Sequence, residues 1–209
     1  AVLRYERAAA LALGAGAVAD YAEAIIQAGC VLRAVMLHHP QRQGRARAAL
    51  NMLPEGDSAV RARLLSESTL GRTSVAERRA ATQEAVEMAR RLGDTDVLLW
   101  ALNARHLVLW GAAPPEELLQ TARELCDLSR RSERHELLLD ALLWCTCDLI
   151  EMGDMLAMQR LREEYMALVE RYGSPWHRHM AIGGDVLTAA AFGDVNRARE
   201  LSGAMRAMG

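Results

Sequence analysis

One apolar stencil, with spacing i, i+4, i+7, i+8, i+11, recurs along this chain and constrains its fold more than any other feature. Ala81, Ala85, Met88, Ala89 and Leu92 fit it. Leu118, Ala122, Leu125, Cys126 and, loosely, Ser129 fit it again, as do Leu161, Tyr165, Leu168, Val169 and Tyr172. On a helix these positions make a single apolar stripe, so each segment buries one side and solvates the rest. The segments before them differ: 97–110 and 137–150 are apolar nearly all round, which requires neighbours on several sides. Enclosed inner helices therefore alternate with half-exposed outer ones, in a unit of roughly 40 residues that suits a helical-repeat array.

Punctuation agrees with this alternation. Gly56-Asp57, Gly93-Asp94, Gly153-Asp154, Gly173-Ser174 and Gly193-Asp194 each place a helix-closing glycine before a residue able to accept the free N–H groups of the next helix. Ser74 with Glu77 forms a capping box, and Pro115 and Pro175 occupy first-turn positions. Aromatics are only 4% and β-branched runs are missing, so strands are not expected. The spacing predicts an all-α superhelix of helical hairpins, an α-solenoid. Residues 1–43 are read as an N-terminal hairpin (1–16 and 18–38) with a linker, and residues 44–209 as one continuous array. Within that array a short helix at 44–53 precedes hairpins at 57–71 with 74–92, 95–111 with 115–131, 134–152 with 155–172, and 175–192 with 195–208. The chain opens without a methionine and keeps Met205 and Met208 at core spacing, so a fragment of a larger protein is expected.

Composition bounds the chemistry. The net charge of -2 supports neither nucleic acid nor an anionic membrane as partner, and no apolar run reaches spanning length. All 25 basic residues are arginine; without lysine the chain has neither a phosphate-loop amine nor a Schiff-base amine. Cys30, Cys126, Cys145 and Cys147 lack the dense spacing of a disulfide scaffold and are read as reduced core thiols in a cytoplasmic protein. Cys145 and Cys147 point apart on a helix and do not share a zinc ion, whereas Cys126 and Cys145 lie within reach across a hairpin. His38-His39 and His177-Arg178-His179 have no carboxylate at ligand spacing, and no nucleophile has a catalytic setting. The reading is a non-catalytic protein with no cofactor and no metal.

The runs LPEGDSAVRARLLSES, ERRAATQEAVEMARRLGDTDVLLWALNARHLVLWG and LLWCTCDLIEMGD resemble the tetratricopeptide-like region of large bacterial multidomain transcriptional regulators. These are the ATP-binding LuxR-type and SARP-type activators common in actinobacteria. The resemblance covers roughly residues 45–205. It implies a sensing or partner-binding region that receives a protein partner or small-molecule effector and passes the signal to other domains of the same regulator. DNA binding and ATP hydrolysis would belong to those other domains.

Asn103, Arg105 and His106 interrupt the oily stretch LLWALNARHLVLWG. Aligning the closing glycines Gly111 and Gly153 puts His106 level with Asp148, with Arg105 beside them. Two readings follow. Either Arg105, His106 and Asp148 form an internal network that fixes the register of adjacent repeats, or with Asn103 they offer a polar spot in a concave groove for a ligand or partner. A free-standing scaffold or homo-oligomer that binds through exposed repeat ends is the alternative role.

Overall fold

The computed structural model describes residues 2–34, 42–69 and 74–207. Among them are eleven α-helices and no strand. The first four are α1 (Val2–Gly14), α2 (Val18–Ala34), α3 (Arg42–Met52) and α4 (Ala59–Glu67). Then come α5 (Val75–Leu92), α6 (Thr95–Leu109), α7 (Pro115–Arg131) and α8 (His135–Glu151). The last three are α9 (Met155–Tyr172), α10 (Pro175–Ala191) and α11 (Val195–Ala207). The helix expected at 57–71 runs from Ala59 to Glu67; at its start Ser58 rather than Asp57 caps it and accepts the Arg61 N–H at 3.2 Å. The pair His38-His39 lies outside the described residues.

Local chemistry accounts for the other boundaries. Asp94, Asp154 and Asp194 accept the N–H groups of Val97, Ala157 and Arg197 at 3.0, 3.1 and 3.0 Å. Ser74 and Glu77 complete their reciprocal capping box. Gly93 closes α5 at φ 65°, a left-handed conformation open to glycine at no steric cost. Glu133 takes the corresponding place after α7 at φ 54°, where a side chain is strained. Gly173 differs: its φ is −67°, and it serves close approach instead, since a Cβ there would lie 2.9 Å from Val169 Cα and collide with the Val169 carbonyl.

Each helix touches its chain neighbours, and contacts also run α2 to α4, α4 to α6, α6 to α8 and α8 to α10. The even-numbered helices thus stand side by side, and the nearly all-round apolar character of α6 and α8 follows from being touched on several faces. Leu99, Leu102, Leu125, Leu139 and Leu142 are completely buried in the main core, each contributing about 1.5–3 kcal/mol of transfer free energy. A second cluster joins Ala9, Tyr21, Ile25 and Ile26 to Ala46 of α3 and Leu64 of α4. The division expected after residue 43 falls inside α3, and this shared cluster ties both sides of it together.

The odd-numbered helices α5, α7 and α9 are bridged by long side chains. Arg79 reaches Glu117 at 2.5 Å and Arg90 reaches Glu124 at 2.8 Å, while Arg130 grips both oxygens of Glu164 at 2.9 Å. Such exposed pairs contribute little to stability, so they set register more than they stabilise.

Candidate functional site

The four residues singled out by sequence separate in the structure. His106 Nε2 and Asp148 Oδ2 do meet, 2.8 Å apart across α6 and α8, but both side chains are 0% exposed. They face no groove. Nδ1 of His106 and Oδ1 of Asp148 are buried without a hydrogen-bond partner among the described residues. Arg105 turns the other way and bonds Glu117 of α7 at 2.8 Å, so the expected trio is a pair. The reach of the guanidinium brings it to the outer layer, where Glu117 also holds Arg79. Asn103 alone of the four lines a cavity.

That cavity, about 440 Å³, lies against α4, α6, α8 and α10. Its apolar wall is Trp100, Leu107, Leu137, Trp144 and Trp176. Its polar wall is a continuous string. The Trp144 indole N–H donates to Asn103 Oδ1 at 2.8 Å, and the Asn103 amide donates to Asp140 Oδ2 at 3.0 Å. His177 Nε2 lies 3.1 Å from Asp140 Oδ1, and its Nδ1 lies 2.9 Å from the Ser174 hydroxyl. A carboxylate only accepts, so Nε2–H donates to Asp140, and Nδ1 and the Ser174 hydroxyl share the second hydrogen bond. The Tyr165 hydroxyl donates to the His177 carbonyl at 3.0 Å, which braces α10 against α9. Burial pushes the Tyr165 hydroxyl well above the usual tyrosine range, so it stays protonated and able to donate.

Trp144 divides the two polar sets. One face stacks on the His106 ring, with centroids 5.1 Å apart and planes 21° from parallel, and Trp110 leans on it at 5.5 Å. Its N–H is fixed by Asn103, so the indole is held from both sides and forms a rigid partition. At the rim Arg134 grips both oxygens of Asp96 at 2.5 and 2.7 Å, and the Arg63 guanidinium lies 5.7 Å above the Trp100 ring.

The Trp144, Asn103, Asp140, His177 and Ser174 side chains of this wall are bonded to one another, while Arg63 Nε is buried without a hydrogen-bond partner among the described residues. Ser174, His177 and Asp140 have the residue types and the bonding order of a hydrolytic triad, and the Ser174 hydroxyl oxygen also accepts the His177 backbone N–H as the cap of α10. Cys145 and Cys147 resist ionisation. Cys126 and Cys145 are free, with sulfurs 4.0 Å apart in the core. Contact with Cys126, and then burial, drives the Cys145 thiol far above the ordinary range, while burial pushes Cys147 up to about 12. Among the described residues no group of three or more His, Cys, Asp and Glu can hold a metal ion, and no helix is long and apolar enough to cross a membrane.

No family model matches this sequence, and no curated protein is significantly similar to it.

Asp140, Trp176, Ser174 and His177 were not singled out by the sequence as lining one site, yet a signal was present. Asn103, Asp140 and His177 stand 37 residues apart in turn. The same interval links Arg63, Trp100, Leu137 and Ser174, all of which line the cavity. Residues recurring at the step that relates adjacent inner helices form rows across them.

Proposed function

We propose that this chain is a tetratricopeptide-like superhelix of helical hairpins that receives a small effector or partner segment in the groove of its inner helices, without chemistry of its own. It would do so as the sensing region of a larger cytoplasmic transcriptional regulator of the LuxR or SARP type. The observation that carries the reading is the groove itself: a cavity of ligand size walled by three tryptophans and a completed hydrogen-bond string. The side-by-side even-numbered helices and the resemblance of residues 45–205 support the repeat and regulator parts. The mechanism is a population shift. An occupant that spans α6, α8 and α10 favours one spacing of those helices, and the outer helices, joined by flexible arginine bridges, follow the change of curvature. Other domains of the regulator would read it.

Native mass spectrometry tests the groove as receptor. The protein is equilibrated with the small-molecule fraction of a cell extract, beside a Leu137→Trp variant whose cavity is filled. An adduct on the wild type that the filled variant loses supports the reading; equal adducts on both, or none on a folded sample, contradict it.

A scaffold or homo-oligomer is favoured by a different observation. Leu187, Phe192 and Val195 are exposed around α10 and α11, as are Leu3 and Leu11 on α1. Sedimentation showing a dimer that Phe192→Ser dissolves would select this alternative.

A further inference from the structure

We infer that the groove selects an organic cation: a protonated amine carried on a flat or aliphatic apolar body. This rests on the reading of the groove as a receptor and adds the chemistry of its occupant.

The charges around the cavity do not cancel locally. Arg134 is spent on Asp96, both of whose oxygens it holds. Arg63 sits on the Trp100 face at the α4 end, with its Nε buried and without a hydrogen bond among the described residues. Towards α8 and α10 the carboxylates lining the cavity are Asp140 and Glu136; among the described residues no arginine lies within ion-pair distance of Asp140, whose basic neighbour is the His177 imidazole at 3.1 Å. Asp140 instead takes its two bonds from a side-chain amide and an imidazole, and its side chain remains 25% exposed. Each carboxylate oxygen has a second lone pair left for a donor in the cavity. A carboxylate whose basic partner is an imidazole 3.1 Å away, bordered by indoles, attracts a cation over an anion of the same shape when that ring is neutral.

Tryptophan supplies the second half of the selectivity. Trp144 and Trp176 present apolar ring surface beside the carboxylate, and Trp144 is already held by Asn103 and His106, so little ordering cost falls on binding. The guanidinium over Trp100 is an internal example of a cation resting on an indole of this same wall. A hydrophobic cation therefore satisfies the carboxylate and the rings together, whereas a carboxylate ligand meets Asp140 and Glu136 with like charge. A cavity of about 440 Å³ accommodates a drug-sized molecule, so the amine need not be a bare ammonium ion.

The test uses three probes that share a phenethyl body, phenethylammonium, 3-phenylpropanoate and 3-phenylpropanamide, titrated against the whole chain at neutral pH and followed by indole fluorescence and calorimetry. Phenethylammonium is expected to bind at least about tenfold more tightly than the other two, with the preference falling to about threefold or less in Asp140→Asn. Glu136→Gln, on the exposed rim, is the second variant and should lower the preference about twofold to threefold without touching the core. Equal or tighter binding of the propanoate or the amide overturns the cation assignment while leaving the groove a receptor. Failure of all three probes to perturb the indoles of a folded sample overturns both.

Discussion

Asp148 and Asp140 sit on the same helix, each bonded to a histidine on a neighbouring inner helix, and their surroundings are opposite. Asp148 meets His106 in a compartment without solvent, and each partner keeps one buried polar atom unmatched. Asp140 meets His177 at the edge of a cavity, with both oxygens bonded and a quarter of its side chain exposed. The Trp144 indole is the wall between them. Carboxylate–histidine contact across repeats is therefore not in itself a sign of binding; what decides is whether the space beyond it is filled by protein. The sealed pair specifies how α6 and α8 dock, and the open one leaves a charged group facing room for an occupant.

Substitutions can break or sharpen this contrast. Removing one member of the sealed pair leaves an uncompensated polar partner, so Asp148→Ala should lower stability by about 3–5 kcal/mol in urea unfolding. Because the pair already leaves two polar atoms unsatisfied, the double variant His106→Met with Asp148→Leu should recover most of that loss. A second large effect belongs to the open side. Gly173→Ala pushes a methyl into the Val169 backbone and should cost about 1–3 kcal/mol while displacing Ser174 and His177 from Asp140. Asp140→Asn keeps the shape of the string, with the new NH2 turned to a His177 ring in its other tautomer, and should cost only about 1 kcal/mol, so its thermal midpoint stays close to wild type where that of Asp148→Ala collapses.

Two smaller effects address the frame around the sites. Arg79, and then Arg105, hold the Glu117 carboxyl below the usual glutamate range. A group whose folded value is lowered contributes stability in full above its unfolded value and loses it as pH falls through the folded one. The wild type should thus lose an increment below the ordinary glutamate range that Glu117→Gln never had, and melting curves of the two should converge in acid. Glu133→Gly relieves the left-handed strain after α7 and should raise stability by up to about 1 kcal/mol, measured by thermal unfolding.

Much of the frame was legible in the sequence because its signals are local. Asp94, Asp154, Ser174 and Asp194 cap helices by reaching three residues ahead, which spacing alone reveals. The meeting of His106 with Asp148 also followed from aligned closing glycines, since the repeat carries that register. Its sealing did not, because it depends on how Trp144 turns and on what fills the space behind it. Arg105 was misplaced for a related reason: a long guanidinium chooses among partners within its reach, and Glu117 on the outer helix satisfied it. The row Asn103, Asp140 and His177 was written in the chain at a constant interval, but each residue alone looks like an ordinary polar interruption.

The claim that one polar set is architecture and the other a receptor is tested most directly by NMR of the histidine rings during titration with phenethylammonium. The His177 ring signals should move progressively to saturation, along with the Trp176 indole, while those of His106 move far less. Equal or larger shifts at His106, or a saturating titration that leaves His177 unmoved, would contradict it.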